Sequence, residues 1–262
     1  MQNAHKVKIL GSAISTYGLD ETVEKLRELS QDGQKHYICV SNVHTVVMGL
    51  DDPQYAHVTN QATLATADGV PLIWASQLLG GPKIHGRASG PDILKAILVD
   101  PKAKHLRHYF YGSTPEVLKR LEVRLRELAP DAQLAGFYSP PMRPSKAIDA
   151  PATSDELEDC QKIDEAKPHL VWVGLGAPKQ ETWMYRLRPH LKAPVLLGVG
   201  AAFDFLAGTK KRAPVWMQKS GLEWLHRLSQ EPTRLASRYF KTNPIFVAAV
   251  AKQCLLSKTK ER

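Results

Sequence analysis

Residues 169–181, "HLVWVGLGAPKQE", are the clearest indication of the fold class of this chain. The first half of this stretch is a run of β-branched and apolar residues, which is typical of a buried strand. Gly174 and Gly176 end the run, and Lys179 and Gln180 then open a helical segment. A strand that turns through glycine into a helix is the repeating unit of a parallel α/β sheet. We expect the turn to bind an anion, because a helix N-terminus offers free N–H groups.

The same alternation of strand and helix runs outward from this stretch in both directions. Candidate strands cover residues 6–11, 36–41, 63–66, 105–112, 133–138, 169–176 and 194–200. Helical patterns lie between them at 20–33, 113–130 and 154–168, and the Pro- and Ser-rich segment 139–154 predicts a loop. The prediction is an α/β fold over residues 1–208, with a Rossmann-like, mainly parallel sheet and helices on both faces.

After Gly208 the pattern changes to helices alone, so residues 209–262 are predicted to be a C-terminal helical appendage. Proline disfavours helix in the residue before it, which predicts breaks at Glu231-Pro232 and Asn243-Pro244 and hence three short helices. The last of these is apolar on most sides but too short to span a bilayer. It either lies in a membrane interface or packs on the main domain.

Charge is distributed very unevenly between the two parts. The chain of 262 residues carries a formal net charge of +9, and residues 1–208 are neutral. Residues 209–262 hold 12 Lys and Arg against Glu223, Glu231 and Glu261, so the whole excess lies there. Such asymmetry indicates a polyanionic partner such as an anionic membrane surface or a phosphorylated ligand. A solvated basic face without a partner is the alternative.

Several classes of protein are disfavoured. The chain has no apolar run of about 18 residues and no apolar signal core at its start, so we expect neither a transmembrane helix nor secretion. Its three cysteines are far apart, which indicates structural thiols rather than a zinc site or disulfides. Metal spacings, a P-loop, a dinucleotide fingerprint and nucleic-acid motifs are all missing, so we predict no metal, no cofactor and no nucleic acid.

Polar and glycine residues follow the candidate strands at the edge where open α/β sheets bind ligands. They are Asn42, Asp68, Gly112, Gly174, Gly176 and Lys179, together with Gln180. The set suits a nucleotide or phosphate ligand. Asp68 is either a turn residue or a general base that takes a proton from a hydroxyl, and His44 and His85 are rival bases.

A set of longer motifs resembles the WecG/TagA/CpsF glycosyltransferases over roughly residues 36–245. The motifs are "NVH" at 42–44, "ADGVPLIWASQLLG" at 67–80, "GRASGPDIL" at 86–94, "FYGSTPEVLKRL" at 110–121, "VWVGLGAPKQETWM" at 171–184 and the long stretch at 198–239. Exopolysaccharide-type members are the most similar. One departure is Val40, which stands where many members carry Thr two residues before the Asn.

The resemblance implies an inverting, metal-independent transfer of a sugar from a nucleotide-diphosphate donor, commonly UDP-linked, to a polyprenyl-diphosphate-linked sugar. It implies Asp68 as the base, Arg87 and Gln180 as further catalytic residues, and Asn42 as a binding residue. It also implies that the appendage arginines contact the lipid diphosphate or the leaving group. These are Arg227, Arg234 and Arg238. With no metal, arginines and helix N-termini would have to stabilise the diphosphate charge.

The resulting hypothesis is a glycosyltransferase of exopolysaccharide or cell-surface polysaccharide synthesis, peripheral on the cytoplasmic face of the bacterial inner membrane. The alternative is a non-catalytic module that binds a polyanion or a nucleotide sugar. The oligomeric state is left open, with a homo-oligomer as one option. The sequence also leaves open whether the appendage lies in the membrane or closes over the active site.

Overall fold

The structure, a computed structural model, describes residues 5–260, with side chains described over residues 5–256. The strands are β1 Lys6–Ile9, β2 Ser12–Ser15, β3 His36–Ser41, β4 Leu64–Ala67, β5 Arg107–Gly112, β6 Gln133–Tyr138, β7 Leu170–Gly174 and β8 Val195–Gly198. The helices are α1 Leu19–Leu29, α2 Val43–Asp51, α3 Pro53–Gln61, α4 Val70–Leu78, α5 Gly90–Val99, α6 Pro115–Leu128, α7 Ser154–Glu165, α8 Lys179–Leu187, α9 Ala202–Leu206, α10 Val215–Lys219, α11 Glu223–Gln230 and α12 Pro232–Lys260.

Six of the described strands form one parallel sheet in the order β4-β3-β8-β7-β5-β6. This confirms the predicted α/β class. The pair β1 and β2 forms a separate antiparallel hairpin, and β2 was missed by the sequence prediction. Its residues "SAIS" are short and small, and the turn that creates it depends on Gly11 at φ +86°.

Side chains of each central strand point alternately into two apolar cores, one on each face of the sheet. Tyr109 and Tyr111 of β5 enter the core beneath α2, α4, α7, α8 and α12. Phe110, between them, enters the core beneath α1, α5, α6 and α9. Because both faces are covered, the central strands are apolar throughout rather than alternating, as the sequence around residues 169–176 shows.

The C-terminal appendage packs back on the main domain through α12. Leu235, Phe246 and Val250 of this helix are buried, and the last two belong to the core beneath α2. The predicted break at Asn243-Pro244 is wrong, because α12 continues through Pro244. Proline removes one helical hydrogen bond and favours a bend or break, but burial of the turns on either side outweighs that cost here.

None of the helices that the structure describes combines the length and the apolar character needed to cross a membrane.

Candidate active site

Asn42 and Asp68 lie side by side at the C-terminal edge of the sheet, directly after β3 and β4. Ser41 of β3 is paired with Ala67 of β4, so the residues that follow them are neighbours. The Asp68 amide donates to the Ser41 carbonyl at 2.8 Å, which fixes the start of the turn. The Asn42 side-chain oxygen accepts from the Thr45 amide at 3.2 Å and caps α2. The sequence prediction that these two polar residues share one edge is therefore met by the geometry.

The Asp68 carboxylate lies in a half-buried, strongly charged environment. Burial, and next the negative charge of Glu223, raise its pKa to about 6, although the positive charges of Arg87, Arg227 and Arg212 oppose the shift. A carboxylate with this pKa is ionised at neutral pH and is a stronger base than an exposed Asp. The surroundings of Asp68 thus suit a general base.

Arg87 connects the main domain to the appendage beside Asp68. One guanidinium nitrogen, Nη1, donates to Glu223 Oε2 at 2.5 Å. The other, Nη2, donates to Gln218 Oε1 at 2.6 Å and to Asp92 Oδ2 at 3.1 Å. The side chain that the sequence predicted to stabilise a diphosphate is therefore held by carboxylates and an amide of its own chain.

Asp92 is the second connection. Arg212 binds it with both terminal nitrogens, at 2.5 and 2.7 Å. Burial opposes ionisation of Asp92, but the hydrogen bonds from Arg212 and Ser89 outweigh it and lower the pKa to about 2. We call Arg87, Asp92, Arg212, Gln218 and Glu223 the Arg87 cluster. Because two of its members come from the main domain and three from the appendage, the cluster fixes the appendage next to Asp68.

The three predicted appendage arginines occupy different environments. Arg227 lies over the Phe205 ring, 5.7 Å from its centroid, and its charge acts on Asp68. Arg238 is half-buried, and burial lowers its pKa. Arg234 is exposed, and its Nε donates to Glu231 at 3.0 Å. The structure therefore brings Arg227 and Arg238 to the site and leaves Arg234 in a surface ion pair.

The rival bases differ from Asp68 in basicity and position. His44 on α2 faces the appendage, and burial together with the charge of Arg238 lowers its pKa to about 4. Its Nδ1 is buried without a hydrogen-bond partner among the residues that the structure describes. His85 is exposed, with its Nδ1 2.8 Å from Glu21. A histidine with so low a pKa is a weaker base than Asp68, which favours Asp68 for the role.

Glycines shape the turns that follow β5 and β7. Gly112 has φ +115°, and a Cβ there would lie 2.7 Å from the Gly174 carbonyl carbon, so only glycine lets these strands approach. Ser113 adopts φ +61°, a strained backbone for a residue with a side chain. Strain of this kind clusters at functional sites. Gly176 has φ +78° just before α8 begins.

Gln180 joins the turn that follows β7 to the turn that follows β8. It is buried, and its Oε1 accepts from the Gly176 amide at 3.1 Å and from the Gly200 amide at 2.9 Å. Its Nε2 donates to Glu181 Oε1 at 2.8 Å. Burial raises the pKa of the Glu181 carboxyl to about 7. Both ends of the Gln180 amide thus bind the protein itself, which gives the residue a positioning role at the edge of the sheet.

A narrow cleft, with a cavity volume of about 30 Å³, lies beneath the Pro-rich loop at the ends of β5 and β7. Tyr111, Leu175 and Trp183 contribute apolar walls, and Lys179 lies among them. Its ammonium donates to the Arg143 carbonyl at 2.7 Å and so holds the loop. The cleft thus combines apolar surface with positive charge next to the glycine turns.

Residues that the sequence did not single out complete the site. The sequence analysis missed Arg212, Gln218 and Glu223. Of these, Glu223 could have been noticed, because it is one of only three acidic residues in the basic segment 209–262. Glu181 was also missed, since a Glu in the first turn of a helix normally serves the helix dipole. In the part of the chain that the structure describes, no group of three or more His, Cys, Asp or Glu could hold a metal ion.

Comparison with known proteins agrees with this arrangement. The sequence model of the family described as "Glycosyl transferase WecG/TagA/CpsF family" matches residues 7–260. An N-acetylglucosaminyldiphosphoundecaprenol N-acetyl-beta-D-mannosaminyltransferase of Staphylococcus aureus strain MW2 is 29% identical over 255 residues, covering 95% of this chain and 94% of the relative. The enzyme with that description from Bacillus spizizenii is 29% identical over 216 residues, covering 82% and 79%.

Among solved structures, an arylmalonate decarboxylase variant matches with a TM-score of 0.29 and 15% identity, covering 75% of this chain and 79% of that one. Similarity this weak carries no argument. The family match spans nearly the whole chain and includes every element that lines the site. It sets aside the alternative of a non-catalytic binding module. The chain therefore belongs to the WecG/TagA/CpsF family of glycosyltransferases.

Proposed function

We propose that this enzyme transfers a sugar from a nucleotide-diphosphate donor, such as a UDP-sugar, to a polyprenyl-diphosphate-linked saccharide. Support for the acceptor class comes from the relatives, whose names describe transfer to N-acetylglucosaminyldiphosphoundecaprenol. The product would enter exopolysaccharide or another cell-surface polysaccharide. The observation that carries the proposal is the position of Asp68, a base of raised pKa beside Arg87 and Arg227.

The proposed reaction is a single displacement that inverts the anomeric centre. Asp68 takes the proton from the acceptor hydroxyl as the hydroxyl oxygen bonds to the anomeric carbon of the donor. The bond from that carbon to the nucleotide diphosphate breaks, and the diphosphate leaves with the electron pair. Negative charge therefore grows on the leaving group in the transition state. Asn42, next to Asp68, would orient the acceptor.

Arginines would stabilise the leaving diphosphate. Arg227 and Arg238 are supported by their half-buried positions and by their coupling to Asp68 and His44. A guanidinium matches two phosphate oxygens at once, which an ammonium does not. Arg87 would take part when Glu223 and Gln218 release it, or would act by holding the appendage in place. Arg234 would contribute least, because Glu231 already binds it.

The nucleotide would lie beside the narrow cleft beneath the Pro-rich loop. The position of the cleft supports this, because β7 is three strands from β4 in the sheet, which is about 14 Å at the usual strand spacing. A nucleotide-diphosphate sugar is an extended molecule that suits such a separation between Asp68 and Lys179. The turns at Gly112, Gly174 and Gly176 would lie along the diphosphate, and Gln180 would hold the Gly176 turn in register with the Gly200 turn that follows β8.

The proposed acceptor is a membrane lipid, and we therefore propose that the reaction takes place at the cytoplasmic face of the bacterial inner membrane. The basic appendage, residues 209–262, would hold the enzyme there by attraction to anionic headgroups, with each exposed cation contributing about 1 kcal/mol. The same segment carries Arg227 and Arg238, so the part of the chain that would attach the enzyme to the membrane would also line the active site.

The direct test is Asp68→Asn in the full-length protein. We expect the variant to bind a UDP-sugar as the wild type does, measured by calorimetry, and to lose about 10²–10⁴-fold in transfer to a synthetic lipid-diphosphate sugar. His85→Asn is the matched control, because that histidine is exposed and paired with Glu21. Turnover of the Asp68 variant near the wild-type rate would refute the base assignment.

A further inference from the structure

Helix α4 of the main domain presents an apolar face to solvent. Trp74 is 48% exposed and Leu78 is 67% exposed. Residues separated by four positions lie on one face of a helix, so these two side chains form a single apolar ridge. The opposite face of the helix is buried through Leu72 and Ala75. Large apolar side chains that share an exposed face indicate a surface made for contact.

Two segments of the appendage lie against this helix. A Cβ at Gly221, in the turn between α10 and α11, would come within 3.0 Å of the Trp74 ring, so the turn packs on α4. At the other end of α4, the Leu78 carbonyl accepts from Cys254 Sγ of α12 at 3.4 Å. The two appendage segments therefore flank the apolar ridge of α4.

Both flanking segments expose further apolar side chains. On α10, Val215 is 63% and Trp216 is 64% exposed, and near the end of α12, Leu255 is 70% exposed. We call Trp74, Leu78, Val215, Trp216 and Leu255 the lipid face. It combines residues from the main domain and from the appendage, and two of the five are tryptophans. Tryptophan is the residue that collects at the interface between a bilayer and water.

The charge around the lipid face decides between a bilayer and an apolar protein partner. Lys219 on α10 and Lys252 on α12 are exposed beside Trp216 and Leu255 in the sequence. Residues 209–262 carry the entire net charge of +9. An apolar surface with Lys219 and Lys252 on the same helices matches a membrane with anionic headgroups, because the apolar side chains would enter the interface while the ammonium groups would reach the phosphates.

We propose that the lipid face docks on an anionic bilayer and that α4 of the main domain, as well as the appendage, contacts the membrane. The basic appendage alone would give attraction without a defined orientation. Contact through α4 in addition fixes the angle at which the main domain meets the membrane, because the helix is anchored in the core by Leu72.

This docking sets the distance between the bilayer and the base, an extension that rests on the proposed function. Helix α4 begins two residues after Asp68. At a rise of 1.5 Å per residue, Trp74 lies about 6 Å and Leu78 about 12 Å along the helix axis from Val70, where α4 begins. A polyprenyl chain could then remain in the bilayer while its diphosphate and sugar reach from the interface to Asp68.

The test is sedimentation of the full-length protein with vesicles of phosphatidylcholine and phosphatidylglycerol. We expect the double variant W74Q/L78Q to bind these vesicles about tenfold or more weakly than the wild type, because two apolar side chains no longer enter the interface. The control is Val123→Gln, which removes a side chain that is 54% exposed on α6. Trp216→Gln is a second, independent variant on α10.

The outcomes separate this proposal from the proposed function. Unchanged vesicle binding by folded W74Q/L78Q, with circular dichroism like that of the wild type, would overturn the role of α4. Loss of a dimer in sedimentation velocity by the same variant, with vesicle binding kept, would assign the face to a second copy of the chain. The W74Q/L78Q variant should transfer sugar to a water-soluble, short-chain acceptor at the wild-type rate. Absence of such transfer in the wild type would instead refute the proposed function.

Discussion

Among single residues, the notable feature is a pair of carboxylates with different roles, those of Glu223 and Asp68. Glu223 belongs to the appendage and binds Arg87 at 2.5 Å. Its negative charge acts on Asp68, which belongs to the main domain, and adds to the effect of burial on the pKa. Arg87 neutralises the charge of the Glu223 carboxylate, whereas the Asp68 carboxylate remains available as a base. Glu223 thus pairs with Arg87 and at the same time helps to raise the pKa of the Asp68 carboxyl.

The pH dependence of transfer should report this pair. Asp68 must be ionised to act as a base, so the rate should fall as the pH drops below about 6. Glu223→Gln removes a neighbouring negative charge and frees positive charge on Arg87, and both changes favour the ionised form of Asp68. We expect the acidic limb of the kcat/KM profile to move to lower pH.

Glu231→Gln is the matched control for that profile. Glu231 also lies in the appendage and also binds an arginine, but its partner Arg234 is exposed. The acidic limb of the kcat/KM profile of the Glu231→Gln variant should coincide with that of the wild type. An acidic limb of the Glu223→Gln variant that moves to higher pH, or stays in place, would contradict the assignment of the limb to Asp68.

At the scale of elements, the junction between α11 and α12 determines which arginines reach the site. Helix α11 ends at Gln230, and α12 begins at Pro232, so the direction of the chain changes between Arg227 and Arg234. A single continuous helix would have placed all three arginines on one face. With the junction, Arg227 and Arg238 are half-buried, while Arg234 points to solvent.

The three arginines should therefore differ in importance. We expect Arg227→Ala and Arg238→Ala each to lower kcat by about 10²-fold or more, the usual effect of removing one preorganised donor to a developing negative charge. Arg234→Ala should change kcat by far less, because the side chain is exposed and an exposed ion pair contributes at most about 1 kcal/mol. Steady-state rates with a synthetic lipid-linked acceptor measure the difference. Equal losses in all three variants would indicate a general effect of positive charge.

At the scale of the whole molecule, the appendage is part of the hydrophobic core. Phe246 and Val250 of α12 lie in the same apolar cluster as β3, β5 and β7. The Arg87 cluster adds polar connections between the two parts. The division into residues 1–208 and 209–262 stays a prediction for the unfolding behaviour, and these contacts favour one cooperative unit.

Two phenylalanines of α12 test that view. Phe246 is 5% exposed and Phe240 is 72% exposed, in the same helix and with the same side chain. Phe246→Ala should lower the free energy of unfolding by about 3–5 kcal/mol and lower the Tm of one single transition. Phe240→Ala should leave the Tm nearly unchanged. If Phe246→Ala produced a second, earlier transition by calorimetry, the appendage would be an independently unfolding part.

The class of fold, and much of the edge where the site lies, could be predicted from the sequence. The apolar runs and glycine turns around residues 169–181 are local signals. A strand buried on both faces requires a continuous apolar run, and a turn with positive φ favours glycine, so both are visible within a few residues. For the same reason, Asp68, Gln180 and Gly112 could be placed at strand ends. The motifs at 67–80 and 171–184 then carried the family resemblance, which the comparisons support.

The partners of those residues could not be predicted locally, because they come from distant parts of the chain. Arg87 and Glu223 are 136 positions apart, and no local pattern predicts that a basic appendage returns a carboxylate to the site. The continuity of α12 through Pro244 depends on burial of Phe246 against α2, which outweighs the local preference for a break. The environment of Asp68 has the same origin, because its pKa is set by charges from distant segments brought together in the fold.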